Sequence, residues 1–154
     1  MAHSAAEWAR SEAVIELADG GQMVLRLFPG EAPINTARFV RMIREKWFEG
    51  LTFHRVVPNF VVQGGSPGAN EYLGDGPFTP DELGLRSHTR GTMGISTRGR
   101  HTGDGQIFLN LVDNLRLDHD YTVIGEIVAG LDVLDAFQEG AVMRRVTLRP
   151  RTGR

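Results

Sequence analysis

The segment that most constrains this chain is Phe53-His54-Arg55-Val56-Val57-Pro58-Asn59-Phe60-Val61-Val62-Gln63-Gly64-Gly65. Two short apolar runs flank Pro58-Asn59, a turn pair, so two adjacent strands are expected. One arginine stands among residues expected to be half buried. A guanidinium is always charged and carries a fixed fork of donors, so a core-facing strand rarely holds one without a use. Gln63, eight residues on, is placed to hydrogen-bond that arginine or a ligand. With Phe60 and Val61 between them, the segment offers an apolar floor with two polar groups at its rim. That combination suits an apolar ring carrying an amide.

The rest of the chain reads as mainly β. Ala13, Ile15 and Leu17 alternate with polar positions, as do Met23, Leu25 and Leu27, and Asp19-Gly20 lies between them, which predicts a hairpin. Pro33 suits a first helical turn. Phe39, Val40, Ile43, Trp47 and Phe48 repeat at helical spacing, with Gly50 as the stop. Further strands are expected at residues 92–96, 106–110, 123–128 and 143–149, and a short helix at 131–137. Residues 64–91, rich in Gly, Pro and Asp, read as loop. Many strands and no strand–helix alternation argue for an antiparallel barrel or sandwich, and pattern alone does not choose between them. The 19 glycines in 154 residues, well above the usual ~7%, agree with a turn-rich β architecture.

Composition narrows the function. A net charge of −2 gives no electrostatic case for nucleic acid or an anionic membrane. The absence of cysteine excludes disulfides, thiolate catalysis and cysteine zinc sites. Residues 1–10 contain no apolar stretch of the signal-peptide kind, so a cytoplasmic location is expected. One domain is expected over residues 11–149, with flexible termini at 1–10 and 150–154.

The opening segment resembles the signature of the cyclophilins, the cyclosporin-binding family of peptidyl-prolyl isomerases. Gly91-Thr92-Met93-Gly94-Ile95-Ser96, Gly105-Gln106-Ile107-Phe108-Leu109 and Leu117-Asp118-His119-Asp120-Tyr121-Thr122-Val123-Ile124-Gly125 follow in family order and at family-like spacing. Ordered motifs together are far more specific than one short pattern. The resemblance implies a closed eight-stranded antiparallel barrel capped by two α-helices. It implies a monomeric peptidyl-prolyl cis–trans isomerase acting on proline-containing peptides and unfolded proteins, with no cofactor and no metal. The alternative is a weakly active or inactive proline-peptide-binding module of a larger protein.

The resemblance also implies roles. Arg55 matches the catalytic arginine, and Gln63 the glutamine that orients it and helps hold the peptide. Phe60, Val61, Phe108 and Leu117 match the proline pocket. From spacing alone those four read as core, and only the resemblance makes them a pocket. Ser96, Thr97 and Gln106 match peptide-contacting positions. Tyr121 stands where the best-known members have histidine, and its ring can serve as the same wall. Val61 stands where methionine is common. Arg116 stands where an aromatic is usual, which implies weak cyclosporin binding. Arg98, Arg100 and His101 border the family's secondary pocket and imply a mild preference for acidic residues before the substrate proline. His54 is expected to point away from the face of Arg55, and Asp118-His119-Asp120 reads as a turn.

Overall fold

The computed structural model describes residues 5–68, 79–84, 86–97, 103 and 106–152. Arg98, Arg100 and His101 lie outside them, as does Gly105. The Asp19-Gly20 turn joins β1 (Ser11–Leu17) to β2 (Gln22–Leu27), with Ala13 opposite Leu25 and Ile15 opposite Met23. Alternation sends Ala13, Ile15, Leu17, Met23, Leu25 and Leu27 inward, each 4% exposed or less. Residues 5–9, expected to belong to a flexible terminus, form a short helix, α1 (Ala5–Ala9). Ser11 pairs with Pro150 and the Arg151 N–H donates to the Arg10 carbonyl at 2.8 Å, so the pairing of β1 with the last strand continues to residues 10 and 151.

Pro33 opens α2 (Pro33–Arg44), which buries Phe39, Val40, Met42 and Ile43. The expected continuation to Phe48 does not form. Lys46 adopts a left-handed φ of 59°. The Lys46 N–H then bonds the Ile43 carbonyl and the Trp47 N–H the Met42 carbonyl. That pair of bonds closes a helix end as a Schellman motif. Phe48 still packs inward at 1% exposure. Ala32 supplies no side-chain cap at the helix start. The Glu82 carboxylate caps from a distant loop, accepting the N–H groups of Ile34 (3.0 Å) and Asn35 (2.7 Å).

The expected strand before Pro58 is divided. β3 (Thr52–Phe53) pairs with the C-terminal strand, while β4 (Arg55–Val57) pairs with β5 (Val61–Gly64). The break at His54 lets one run of chain serve two neighbours, which is how the sheet wraps towards closure. After it come β6 (Thr92–Ile95), β7 (Ile107–Asn110), β8 (Val123–Ala129), α3 (Leu131–Asp135) and β9 (Ala141–Pro150). Among the described residues the sheet thus has nine strands rather than eight, in the order β3-β9-β1-β2-β8-β6-β7-β5-β4, all pairs antiparallel. The Gly65 N–H reaches the Thr52 carbonyl at 3.3 Å, bringing the two ends of the sheet together. Gly64 permits this approach, since a Cβ there would stand 2.7 Å from the Phe53 ring.

The helices cap opposite ends of this nearly closed barrel. Phe39 and Met42 of α2 meet Ile95 at the end of β6, while Leu131 of α3 lies beside Gly91, just before its start. Inside lie Val62, Met93, Leu109 and Ile124, all 0% exposed. The alternate residues of β4, β5 and β7 therefore face outward, and the candidate site is built on that outer face. No helix among the described residues is long and apolar enough to cross a membrane.

Candidate active site

Register assembles the site. Arg55 stands opposite Gln63, Gln63 opposite Phe108, and Phe108 opposite Gly94. Four strands thus place one row of residues side by side on the outer face. Arg55, Phe60, Val61, Gln63, Ser96, Thr97, Phe108, Leu117 and Tyr121 line one cavity of about 180 Å³. These are nine of the ten expected site residues. Gln106, the tenth, lies beneath the cavity, 1% exposed and bonded to Gln63. His54 is half-buried and is not among the lining residues. Larger clefts of about 600 Å³ occur elsewhere, one of them between α1, α2 and β9, but neither gathers any of the ten.

Arg55 departs from expectation in one respect: it is exposed. β4 is a terminal strand of the sheet, so one flank of Arg55 faces water. Its Nη1 donates to Gln63 Oε1 at 3.4 Å, a long contact that restrains the guanidinium without occupying it. Gln63 is 4% exposed. Its Nε2 donates to Ser96 Oγ (2.8 Å) and Gln106 Oε1 (3.0 Å). An amide nitrogen has two protons, so both are committed within the protein. Gln63 Oε1 is left to face Arg55.

Phe108 forms the floor. Its ring lies directly over Gly94, where a Cβ would stand 2.3 Å from Cζ. The His88 ring stacks on it at 5.5 Å and 17°, and the Tyr121 ring stands nearly perpendicular to it at 5.6 Å. Val61 and Phe108 are 4% and 5% exposed, yet neither belongs to the barrel's main core cluster. They are buried against the cavity walls instead.

A polar network missed by the sequence reading holds these walls. His88 is fully buried, and its Nε2 lies 3.0 Å from the Tyr121 carbonyl. Its Nδ1 lies 3.3 Å from Asn110 Nδ2, an N–H donor. These partners select the neutral tautomer with its proton on Nε2. Burial pushes the His88 pKa below the ordinary histidine value, against the opposing pull of the Tyr121 carbonyl and the Asp118 charge. Asn110 Oδ1 accepts from Asn114 Nδ2 (2.9 Å), which also donates to the Phe60 carbonyl (3.0 Å). One chain of bonds thus ties Tyr121 to Phe60, with Phe108 stacked on its His88 link. One signal was available: Gln106, Phe108 and Asn110 share a strand face, so a polar Asn110 beside an apolar floor required buried partners. Asp118 accepts the His88 backbone N–H at 2.7 Å and so fastens its turn to this network.

The family model described as cyclophilin type peptidyl-prolyl cis-trans isomerase/CLD matches residues 13–152. The chain belongs to the cyclophilin-type peptidyl-prolyl cis–trans isomerases. An isomerase of Helicobacter pylori strain 26695 is 38% identical over 130 residues, covering 82% of this chain and 80% of that protein. Peptidyl-prolyl cis-trans isomerase B of Bacillus subtilis is 34% identical over 132 residues, covering 84% and 92%. In structure, a Cryptosporidium parvum cyclophilin superposes with a TM-score of 0.84 at 17% identity, covering 92% of this chain and 99% of that one. A second crystal structure of that protein, in the presence of the dipeptide Ala-Pro, gives 0.83. The cyclophilin fold expected from the motifs is the fold found, and the chain is an isomerase rather than a bare binding module.

Proposed function

We propose that the cavity lined by Phe60, Val61, Phe108, Leu117 and Tyr121 receives the proline ring of an X–Pro peptide, and that Arg55 stabilises the twisted amide. The observation that carries this assignment is a fixed charge restrained at the rim of an apolar cavity. Rotation about X–Pro breaks amide conjugation, at a barrier of ~18–20 kcal/mol. In the twisted state the proline nitrogen regains its lone pair and accepts a hydrogen bond. A donor aimed there binds the transition state better than either planar isomer. No covalent bond breaks, so the reaction calls for shape and one charge. Lowering the barrier by ~7 kcal/mol gives about 10⁵-fold acceleration.

The division of labour follows from the geometry. The walls hold the ring while the preceding residue turns. Gln63 and Gln106, both buried, hold the guanidinium in place. Ser96 and Thr97, half-buried at the Gln63 end, contact the peptide backbone. Residues 11–149 act as one monomeric isomerase domain in the cytoplasm, assisting the folding of proline-containing chains. A protease-coupled isomerisation assay on a short X-Pro peptide tests the reading. Acceleration lost when Phe108 is replaced by a bulkier tryptophan, with the fold retained, supports the pocket; unchanged acceleration places the reaction elsewhere.

A further inference from the structure

Phe60, in the turn just before β5, and Gln63, within β5, mark the two ends of the cavity floor. The Gln63 end carries Arg55, Ser96 and Thr97. The Phe60 end is bordered by a 3-10 turn, Leu115–Leu117, in which Leu117 lines the cavity and Arg116 points its guanidinium carbon over the Phe60 ring, 4.8 Å from the centroid. Asn114, the residue before that turn, bonds the Phe60 carbonyl, so Arg116 and Phe60 are held in one fixed relation.

Arg116 is exposed and, among the described residues, carries its charge unpaired, in contrast to four other arginines. Arg86, Arg90, Arg145 and Arg149 each pair with a carboxylate at 3 Å or less. Among the described residues no carboxylate pairs with Arg116. The adjacent acids are engaged elsewhere: Asp118 accepts the His88 N–H and Asp113 the Arg90 N–H. A cation–π contact uses none of a guanidinium's five N–H donors, so those of Arg116 stay available while Phe60 restrains the group. Leu115, 58% exposed, lies beside it.

Resting on the isomerase reading of this cavity, we propose that Arg116 is a specificity-determining residue. It selects peptides with a side-chain carboxylate next to the isomerised proline, on the flank that leaves the cavity over Phe60. A peptide seated by its proline carries one neighbour past each end, and the neighbour at this end meets a restrained guanidinium whose fork matches a carboxylate. The charge lies outside the ring pocket, so it discriminates between peptides without taking part in the rotation.

The test uses acetylated, amidated peptides that differ only by Glu or Gln immediately before or immediately after the proline. Amidation removes the terminal carboxylate as a competing source of charge. Catalysed exchange is measured by NMR, and the readout is the Glu/Gln ratio of kcat/KM for each enzyme. The wild type is expected to favour Glu by about two- to five-fold at low salt, on one flank alone, as befits an exposed ion pair. The preference shrinks at high salt. It disappears in Arg116→Gln and survives in part in Arg116→Lys, which keeps the charge but not the fork. A wild-type ratio of one on both flanks overturns the proposal, and so does a ratio that persists in Arg116→Gln. The second outcome would assign the preference to other cations. Failure of the Gln peptides to be turned over at all would instead refute the isomerase assignment of the cavity, so the two failures are distinct.

Discussion

Acid is expected to destabilise the protein through His88, which stacks on Phe108. The ring is fully buried, accepts from Asn110 Nδ2 at Nδ1, and donates from Nε2 to the Tyr121 carbonyl. Protonation puts a second N–H against the Asn110 donor. Asp118 and Tyr121 approach from the following turn, and Phe108 stacks from β7; of these the Tyr121 carbonyl and the Asp118 charge favour the cation. Desolvation outweighs both, so the folded pKa lies below the ordinary histidine value. The sign follows by linkage. The unfolded chain takes up this proton first as pH falls, so stability is complete above the unfolded pKa and is lost as pH drops through it. One proton bound only in the unfolded state costs at most about 1.4 kcal/mol per pH unit. The loss levels off once the pH passes the folded pKa. The assay is urea unfolding from pH 8 to pH 5.5 for wild type and His88→Gln. The variant is weaker at pH 8, because it loses ring stacking and alters two buried hydrogen bonds. Its curve is flatter, because its amide does not titrate. Parallel curves for the two proteins would refute the argument, since the acid sensitivity would then belong to other groups.

Two further outcomes follow from single residues. Glu82→Ala removes the α2 cap supplied to the Ile34 and Asn35 N–H groups, and is expected to lower unfolding stability by about 1–2 kcal/mol; an unchanged denaturation midpoint would show that the cap contributes nothing. Cyclosporin is expected to inhibit poorly, about 30-fold more weakly than it inhibits cyclophilins bearing tryptophan at the place of Arg116, because a large aromatic anchor is missing there; titration of isomerase activity with the drug reads this directly, and tight inhibition would contradict it.

What was legible in the sequence was local. The β1–β2 hairpin could be read because alternation and Asp-Gly agree on one register. Pro33 marked the start of α2 because its fixed φ and missing N–H fit only a first turn. The Arg55–Gln63 pair was legible because eight residues around a Pro-Asn turn bring two strand positions face to face. Other features depend on distant partners. Nothing near His54 signals that Phe53 will pair with Ala141 while Arg55 pairs with Gln63. The end of α2 at Lys46 carries no glycine, so the apolar pattern ran on to Phe48. Glu82 caps a helix that begins 49 residues earlier. The His88–Asn110–Asn114 network joins a loop, a strand end and a turn, and no periodicity links them. Spacing alone reads Phe60, Val61, Phe108 and Leu117 as core because a surface cavity and a core shelter side chains alike, and only the register of four strands separates the outer face from the inner one.

The central claim is that Arg55 supplies the donor that stabilises the twisted amide, and Arg55→Ala tests it most directly. Arg55 is exposed, so its removal leaves the barrel core untouched. The measurement is kcat/KM for a short X-Pro peptide, alongside the unfolding midpoint. Loss of a transition-state donor predicts a fall of about 10²–10³-fold, with stability retained. Wild-type turnover in a folded Arg55→Ala protein would contradict the account.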